Sequence, residues 1–240
     1  DDATSYYQEY TNIPIMHDLE PLLKNSKIIT VYIEGVGSVK YGKDDVLKGA
    51  GLGSNKNKTG IPSKIQRAMD EIIEKTNDLI DSQTETCGKV KVSVFGFSRG
   101  SAVARNFVSK KGELAQLLKI AQRNITYTFV GIFDTVSAVF LENDSYNHIS
   151  IKGDNVAEFQ LAMGAHVQKA VQLTAADEYR EKFALTNIKS SIDAGVGFEM
   201  EVPGSHCDVG GGFLDNEKEH IDETLYYPQQ SEFIHKFIEQ

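Results

Sequence analysis

A turn from a strand into a helix can be read in Val92-Ser-Val-Phe-Gly96-Phe97-Ser98-Arg99-Gly100. Alternating valines lead into it, and the small residues Ser101, Ala102 and Ala104 follow it. Gly-x-Ser-x-Gly between a strand and a helix is typical of a nucleophile elbow, which lifts the serine hydroxyl above the end of the strand. We predict a strained backbone at Ser98. We expect glycine at 96 and 100 because a side chain there would collide with the neighbouring strand or helix.

Outward from this turn, apolar strands alternate with helices. The predicted strands are 27–33, 89–95, 125–133 and 198–202. The predicted helices are a short one within 13–23, one over 62–79, then 99–109, 114–121 and most of 156–183. This alternation predicts an α/β fold of α/β-hydrolase type, with a mostly parallel sheet flanked by helices. Because no linker is visible, we expect residues 1–240 to form one catalytic domain.

Composition narrows the classes of protein that the chain can represent. A formal net charge of -9 over 240 residues argues against nucleic acid as a main partner, because phosphate binding needs clustered Lys and Arg. No run approaches the roughly 18 apolar residues of a membrane span, and no signal-peptide pattern is visible. Cys87 and Cys207 make no disulfide framework, and no Cys/His spacing indicates zinc. We therefore expect no cofactor and no metal.

A serine nucleophile needs a base and an orienting acid, and both follow the elbow in the required order. Asp134 directly follows one predicted strand, and His206 follows another through Pro203-Gly204-Ser205. In α/β hydrolases the acid and then the base come after the serine, each at the carboxyl end of a later strand. We therefore predict Ser98 as nucleophile, Asp134 as acid and His206 as base, with the Arg99 N–H in the oxyanion hole.

Each of these assignments has a rival. Asp134 could instead cap a helix, Asp208 is the rival acid, and His166 is a reserve base. We expect Asp208 to tie the loop, because a sequence neighbour of His206 is poorly placed to reach the far nitrogen of its ring. The glycines at 210–212 are expected to let the backbone fold tightly past the site.

A pair of carboxylates lies within the predicted helix 156–183. Asp177 and Glu178 stand beside Arg180, and helical spacing favours an ion-paired face over paired-carboxylate chemistry. We therefore predict that the pair is structural.

Five motifs, in order along the chain, together resemble a known family. They are Glu34-Gly-Val-Gly-Ser38, Gly96-Phe-Ser-Arg-Gly-Ser-Ala-Val-Ala-Arg105, Gly131-Ile-Phe-Asp-Thr-Val136, Asp177-Glu-Tyr-Arg-Glu-Lys-Phe183 and Pro203-Gly-Ser-His-Cys-Asp-Val-Gly-Gly-Gly212. The set resembles the catalytic domain of type VI secretion phospholipase effectors. The resemblance implies an α/β-hydrolase fold and hydrolysis of phospholipid acyl esters by Ser98, Asp134 and His206. It also implies a phospholipid or membrane-surface substrate, a secretion-apparatus or immunity protein as partner, and export from the bacterial cytoplasm into a target cell.

The chain departs from that family near its beginning. Thr11-Asn12-Ile13 is present, but the Asp-Gly-Thr strand that relatives place before it is not. The loop after that strand should supply a second oxyanion donor, so we expect either an upstream segment or a substitute donor from Gly35-Val36-Gly37, with Gly35 preferred. Without that strand, the sheet would also expose an apolar edge beside 27–33. Gln172 lies near a position where relatives often carry His.

Two other functions stay open on the sequence. The first is an esterase or amidase that acts on a non-lipid substrate. The second is a binding module whose hydrolase site is degenerate, which the missing first strand suggests. Labelling with a fluorophosphonate distinguishes an active serine from a degenerate one.

Overall fold

The computed structural model describes residues 10–19, 27–38, 60–83, 88–137, 139–140, 148–149, 160–180 and 183–212. Its helices are α1 (Asn12–Asp18), α2 (Ile61–Gln83), α3 (Arg99–Ser109), α4 (Lys111–Leu117), α5 (Lys189–Asp193) and α6 (His206–Gly210). Its strands are β1 (Val90–Phe97), β2 (Ile125–Phe133), β3 (Val139–Phe140), β4 (His148–Ile149), β5 (Ala170–Ala175) and β6 (Gly197–Val202).

Four of these strands form one parallel sheet in the order β1-β2-β5-β6. Phe97 pairs with Phe133, Phe133 with Leu173 and Leu173 with Met200, so the carboxyl ends of the strands lie at one edge of the sheet, where β5 and β6 extend two residues further than β1 and β2. The short strands β3 and β4 pair antiparallel in a separate ribbon. The predicted α/β fold with a parallel sheet flanked by helices is thus confirmed. Its topology brings the loops that follow β1, β2, β5 and β6 to a common edge.

The hydrophobic core lies between this sheet and the helices α2 and α3. It includes Ile61, Ile65, Met69, Ala102, Phe107, Val108, Ile125, Tyr127, Val130 and Ile132. Tyr127 meets Phe107 edge to face, with ring centroids 6.1 Å apart, and its hydroxyl donates to the Phe107 carbonyl at 3.4 Å. This packing fixes α3 against β1 and β2, and so fixes the residues at the start of α3 relative to the sheet edge.

Several predicted elements are confirmed. The helix 99–109 and the strand 125–133 have the predicted bounds, and the strands near 89–95 and 198–202 are β1 and β6. The helix predicted over 62–79 is α2, which extends to Gln83. Pro14 lies within the first turn of α1, where a missing N–H costs no intrahelical hydrogen bond.

The helix predicted over most of 156–183 is wrong for the residues that the structure describes there. Ala170–Ala175 is strand β5, and the segments on either side of it form no α-helix between 160 and 180. The physical reason lies in two buried polar side chains. Gln172 and Thr174 point to the buried face between half-buried Val171 and Leu173, so the usual alternation of apolar-in and polar-out is reversed.

The strand predicted at 27–33 is also wrong. The residues are described, but they belong to no ladder of the sheet. Side chains hold the segment instead: Lys75 Nζ of α2 donates to the Thr30 carbonyl at 2.6 Å, and the Tyr32 ring stacks on His17 with centroids 5.5 Å apart. Apolar β-branched residues favour a strand, but a strand forms only where a neighbouring strand completes its hydrogen bonds.

Candidate active site

Ser98 occupies a strained turn between β1 and α3. Its φ is 57° and its ψ is -129°, a region that non-glycine residues rarely adopt. The Ser98 N–H donates to the Phe133 carbonyl at 3.0 Å, and the Ser98 carbonyl accepts from the N–H groups of Ser101 at 3.0 Å and Val136 at 3.3 Å. These bonds hold the turn to the start of α3 and to the loop after β2.

Only one of the two elbow glycines is required by crowding. A Cβ on Gly96 would lie 2.7 Å from both the Gly100 carbonyl oxygen and the Ser101 Cα, as expected from the tight turn. A Cβ on Gly100 would meet no atom of the described residues within 4 Å. The expected collision at Gly100 is therefore wrong for the described part of the chain, because in the first turn of α3 this position faces no described neighbour.

Asp134 is the first residue after β2, and its carboxylate is buried, with 2% of the residue exposed. Its φ of 37° is also in the left-handed region. The Asp134 N–H donates to the Leu173 carbonyl at 2.7 Å, and its Oδ1 accepts from the Ala175 N–H at 3.1 Å. Two hydrogen bonds to β5 thus fix the main chain and side chain of this acid.

His206 faces that carboxylate from the other side. It is the first residue of α6, it is 2% exposed, and its Nδ1 lies 2.6 Å from Asp134 Oδ2. The imidazole packs against Phe97 at 4.5 Å between centroids and edge to face against Phe183 at 4.9 Å. Because Asp134 takes Nδ1, Nε2 is the nitrogen left for a second partner.

The structure brings His206 beside the elbow without a hydrogen bond to Ser98. Phe97, which immediately precedes Ser98, packs against the imidazole with the two rings tilted by 33°. Among the described residues the Ser98 hydroxyl makes no hydrogen bond. In structures without substrate, a nucleophile and its base are often further apart than in the reacting complex. The three residues therefore meet at one sheet edge, with the pair His206–Asp134 already formed.

The loop that carries His206 is tied by its own side chains. Asp208 Oδ2 accepts from the Ser205 N–H at 2.6 Å and from the Ser205 hydroxyl at 2.9 Å, and the two residues form a capping box at the start of α6. Asp208 thus lies where loop tying was expected, and it makes no contact with the imidazole nitrogens among the described hydrogen bonds.

The glycine run lets α6 approach β1 closely. A Cβ on Gly210 would lie 2.0 Å from the Phe97 ring, and Gly211 has a φ of 78°. α1 packs on the other side: Thr11 bridges to Gly211, and Asn12 Nδ2 donates to the Val209 carbonyl at 3.1 Å. The tight passage predicted from the three glycines is present.

A buried polar network lies beneath the turn that follows β2, and sequence analysis did not predict it. The Thr135 hydroxyl bonds to Gln172 Oε1, and Gln172 Nε2 donates to the Thr186 carbonyl at 3.1 Å and to Glu199 Oε2 at 2.8 Å. Arg105, 1% exposed, donates to the carbonyls of 161, 186 and 187 at 2.9 Å each. The network holds Thr135, the residue next to Asp134. In the sequence, only Arg105, the last residue of the elbow motif 96–105, could have indicated this network.

Asp177 and Glu178 hold the loop before α6 through hydrogen bonds, and they belong to the non-helical segment that follows β5. Asp177 Oδ2 accepts from the Gly204 N–H at 2.8 Å, and Glu178 Oε2 accepts from the His206 N–H at 3.3 Å. The predicted ion pair is present between Glu178 and Arg180 at 2.6 Å, but the predicted helix is not, and the two partners are only two residues apart. The pair therefore contacts the site directly.

Gly35, Arg99 and His166 are also predicted site residues, and no hydrogen bond among the described residues joins them to Ser98, Asp134 or His206. Gly35 begins a turn closed by a hydrogen bond from the Ser38 N–H to its carbonyl at 3.1 Å. Arg99 is the first residue of α3, and burial lowers the pKa of its guanidinium. His166, the reserve base, is exposed in a short 3-10 turn.

Metal-binding clusters and membrane-spanning helices are both absent from the described ranges. No group of three or more His, Cys, Asp or Glu side chains there could hold a metal ion. No described helix is long and apolar enough to cross a membrane.

The fold and the arrangement at its edge define an α/β protein of α/β-hydrolase type. A family described as "T6SS, Phospholipase effector Tle1-like, catalytic domain" matches residues 109–230, just over half of the 240 residues. The chain belongs to this family. The match includes Asp134 and His206 and begins after Ser98.

Two solved structures are similar to the chain. One is the Tle1 effector bound to the VgrG spike of the type 6 secretion system, with 27% identity and a TM-score of 0.49 over 66% of this chain and 32% of that one. The other is an uncharacterized protein from Pseudomonas aeruginosa, with 24% identity and a TM-score of 0.43 over 78% of this chain and 28% of that one. This chain thus spans about a third of the length of each. The comparison with curated proteins gave no match.

Proposed function

We propose that the chain is a serine hydrolase of phospholipid acyl esters, with Ser98 as nucleophile, His206 as base and Asp134 as orienting acid. One observation carries the proposal: a buried His206–Asp134 pair, 2.6 Å apart, stands beside a serine held at a φ of 57° on a strand-to-helix turn. Family membership supports the phospholipid substrate.

In the first half of the reaction, Ser98 Oγ attacks the acyl carbonyl carbon while His206 Nε2 accepts the hydroxyl proton. The carbonyl oxygen becomes an oxyanion, which the Arg99 N–H stabilises at the positive end of the eleven-residue helix α3. Asp134 Oδ2 stabilises the imidazolium through Nδ1–H. The proton then passes from Nε2 to the leaving lysophospholipid oxygen, and the acyl group remains on Ser98.

In the second half, a water molecule replaces the alcohol. His206 Nε2 takes a proton from the water, the resulting hydroxide attacks the acyl carbon, and the fatty acid leaves as the proton returns to Ser98 Oγ. We also propose that a main-chain N–H of the turn that begins at Gly35 donates the second hydrogen bond to the oxyanion. Removing one such donor typically lowers turnover by about 10²–10³.

The biological setting follows from the family alone. The members of this family are described as effectors of the type VI secretion system. We therefore propose that this system exports the protein and that the protein acts on the phospholipids of a target cell. A secretion-apparatus component and an immunity protein are the proposed macromolecular partners.

The test compares substrates and two serine variants. Phospholipid vesicles, soluble acyl esters and amides are incubated with the protein, and released fatty acid or alcohol is measured. We expect release from phospholipid, its loss in Ser98→Ala, and its retention in Ser93→Ala, an exposed serine on β1 whose hydroxyl lies 3.1 Å from that of Thr128. If the protein hydrolysed soluble esters but not phospholipid, the proposed lipid substrate would be wrong and a non-lipid ester would take its place. Unchanged turnover in Ser98→Ala would remove Ser98 from the mechanism.

A further inference from the structure

The main chain around His206 is held by an acidic pair that follows β5. Glu178 Oε2 accepts from the His206 N–H at 3.3 Å. Asp177 exchanges two bonds with Gly204: its Oδ2 accepts from the Gly204 N–H at 2.8 Å, and its own N–H donates to the Gly204 carbonyl at 3.0 Å. The two carboxylates therefore hold the middle of the three-residue loop 203–205 and the first residue of α6.

The same acidic pair is connected to the imidazole by a second route. Arg180 Nε donates to Glu178 Oε1 at 2.9 Å, and Arg180 Nη2 donates to Glu178 Oε2 at 2.6 Å, a bidentate pair with both side chains largely buried. The guanidinium carbon lies 3.8 Å from the centroid of the Phe183 ring, and that ring meets the His206 imidazole edge to face at 4.9 Å. The Phe183 ring thus contacts both the Arg180 guanidinium and the His206 imidazole.

Resting on the proposed role of His206 as base, we infer that Glu178, Arg180 and Phe183 are positioning residues that hold His206 and balance the charge around it. Glu178 bonds the main chain of His206, Phe183 packs on its ring, and Arg180 joins the other two. None of the three contacts the predicted nucleophile in the described hydrogen bonds. They act on the reaction through His206.

The charges that face His206 come from three elements. Asp134 faces Nδ1 from the end of β2, Glu178 and Arg180 lie beside it after β5, and Asp208 of its own helix is directed to Ser205. Burial raises the pKa of Glu178, but hydrogen bonds from Arg180 and the His206 N–H outweigh it and hold that pKa below its ordinary value. Glu178 is therefore ionised near neutral pH, and its charge is offset by Arg180.

Removing one partner of this ion pair should leave the charge of the other uncompensated beside the imidazole. In Glu178→Gln the remaining Arg180 cation disfavours the imidazolium, so His206 should titrate at lower pH. In Arg180→Gln the remaining Glu178 anion favours the imidazolium, so the midpoint should move to higher pH. The two variants should therefore shift in opposite directions, by about half a pH unit each, because water reaches part of the pair.

The experiment follows the His206 imidazole signals of the full chain by NMR across pH, with His206→Asn to assign them. Asp193→Asn is the matched control, because it breaks the ion pair Lys189–Asp193 on the exposed surface of α5 and should leave the midpoint unchanged. The acid limb of kcat/KM on a soluble acyl ester should move with the NMR midpoint in each variant.

Opposite shifts support the charge balance, whereas no shift or shifts in one direction would make the ion pair merely structural and overturn the inference. If Glu178→Gln does not fold, Arg180→Lys is compared with Arg180→Gln instead. Because lysine keeps the positive charge, the His206 midpoint of Arg180→Lys should lie nearer to wild type than that of Arg180→Gln. Equal midpoints in the two variants would contradict the inference. Since NMR needs no turnover, opposite NMR shifts without ester hydrolysis would refute the proposed function while the charge arrangement stands.

Discussion

Two glycines flank Ser98 in the elbow, and the structure gives them different surroundings. A Cβ on Gly96 would lie 2.7 Å from the main chain of α3, whereas a Cβ on Gly100 would meet no described atom within 4 Å. Main-chain atoms cannot move aside as the end of a long side chain can, so Gly96 is the residue that allows β1 and α3 to meet at this angle.

We expect Gly96→Ala and Gly100→Ala to have opposite effects on stability. The added methyl at 96 should cost about 1–3 kcal/mol, as overpacking does, and should distort the turn that presents Ser98. The added methyl at 100 should gain about 0.5–1 kcal/mol, since alanine replaces glycine in a helical position. Urea unfolding followed by circular dichroism measures both. Equal effects would mean that crowding does not shape this elbow.

Asp134→Asn tests the orienting acid with little change in shape. The amide can still accept from the Ala175 N–H, but it can no longer hold the His206 tautomer that leaves Nε2 as a proton acceptor. We expect kcat on a short acyl ester to fall by about 10⁴ while the fold is retained. Asp193→Asn on α5 serves as the control and should keep full activity. A loss below tenfold in Asp134→Asn would favour another acid.

At the residue scale, the positions of Ser98, Asp134 and His206 could be predicted because each follows a strand, directly for Ser98 and Asp134 and after a three-residue loop for His206. The buried hydrogen bonds of Gln172 and the hydrogen bond from the His206 N–H to Glu178 could not be predicted from the sequence. The positions of Gln172 and Glu178 depend on β5 and on the main-chain groups that the fold places next to them. Local sequence does not indicate that the partner of Glu178 is the His206 N–H, 28 residues away. The roles of the three site residues remain predictions.

At the scale of elements, α3 and β2 could be predicted at both ends, because a glycine turn and an Asp mark their limits. β5 was mistaken for helix since its buried face carries Gln172 and Thr174. The run at 27–33 was mistaken for a strand since its composition favours one, although side chains of α1 and α2 hold it in this structure. Both errors concern tertiary partners rather than local preference.

The short helix α6 offers a prediction at this scale. It has five residues and begins at His206, so its position depends on the capping box between Ser205 and Asp208. Asp208→Ala should lower the free energy of unfolding by about 1 kcal/mol. Asp193→Ala, which removes an exposed pair on the equally short α5, should cost at most about 0.5 kcal/mol. Urea unfolding compares them, and equal losses would show that the cap contributes nothing special.

For the whole molecule, a buried charge cluster joins the segment before α2 to that helix. Glu34 bonds Lys64 at 3.0 Å and pairs with both terminal nitrogens of Arg67, and Lys64 also donates to the Ser38 carbonyl at 2.5 Å. Burial raises the pKa of Glu34, but the hydrogen bonds from Arg67 and Lys64 outweigh it and lower that pKa from 4.5 to about 2.

This cluster should make stability depend on pH in acid. Because the folded pKa of Glu34 is depressed, its contribution is present above about 4.5 and is lost as pH falls toward about 2. Glu34→Gln should be less stable than wild type at pH 7, where it leaves Lys64 buried without its carboxylate, and the gap in urea midpoint should narrow between pH 4.5 and 2. A gap that stays constant over this range would show that Glu34 does not titrate with folding.

The most direct measurement is labelling with a fluorophosphonate, followed by peptide mapping of the adduct. Such a probe reacts with a serine only where a neighbouring base activates it, and it needs no knowledge of the lipid substrate. We expect one adduct, on Ser98, with labelling slowed by orders of magnitude in His206→Asn and unchanged in Ser93→Ala. Absence of an adduct on Ser98 in protein with intact secondary structure would contradict the assignment and indicate a degenerate site.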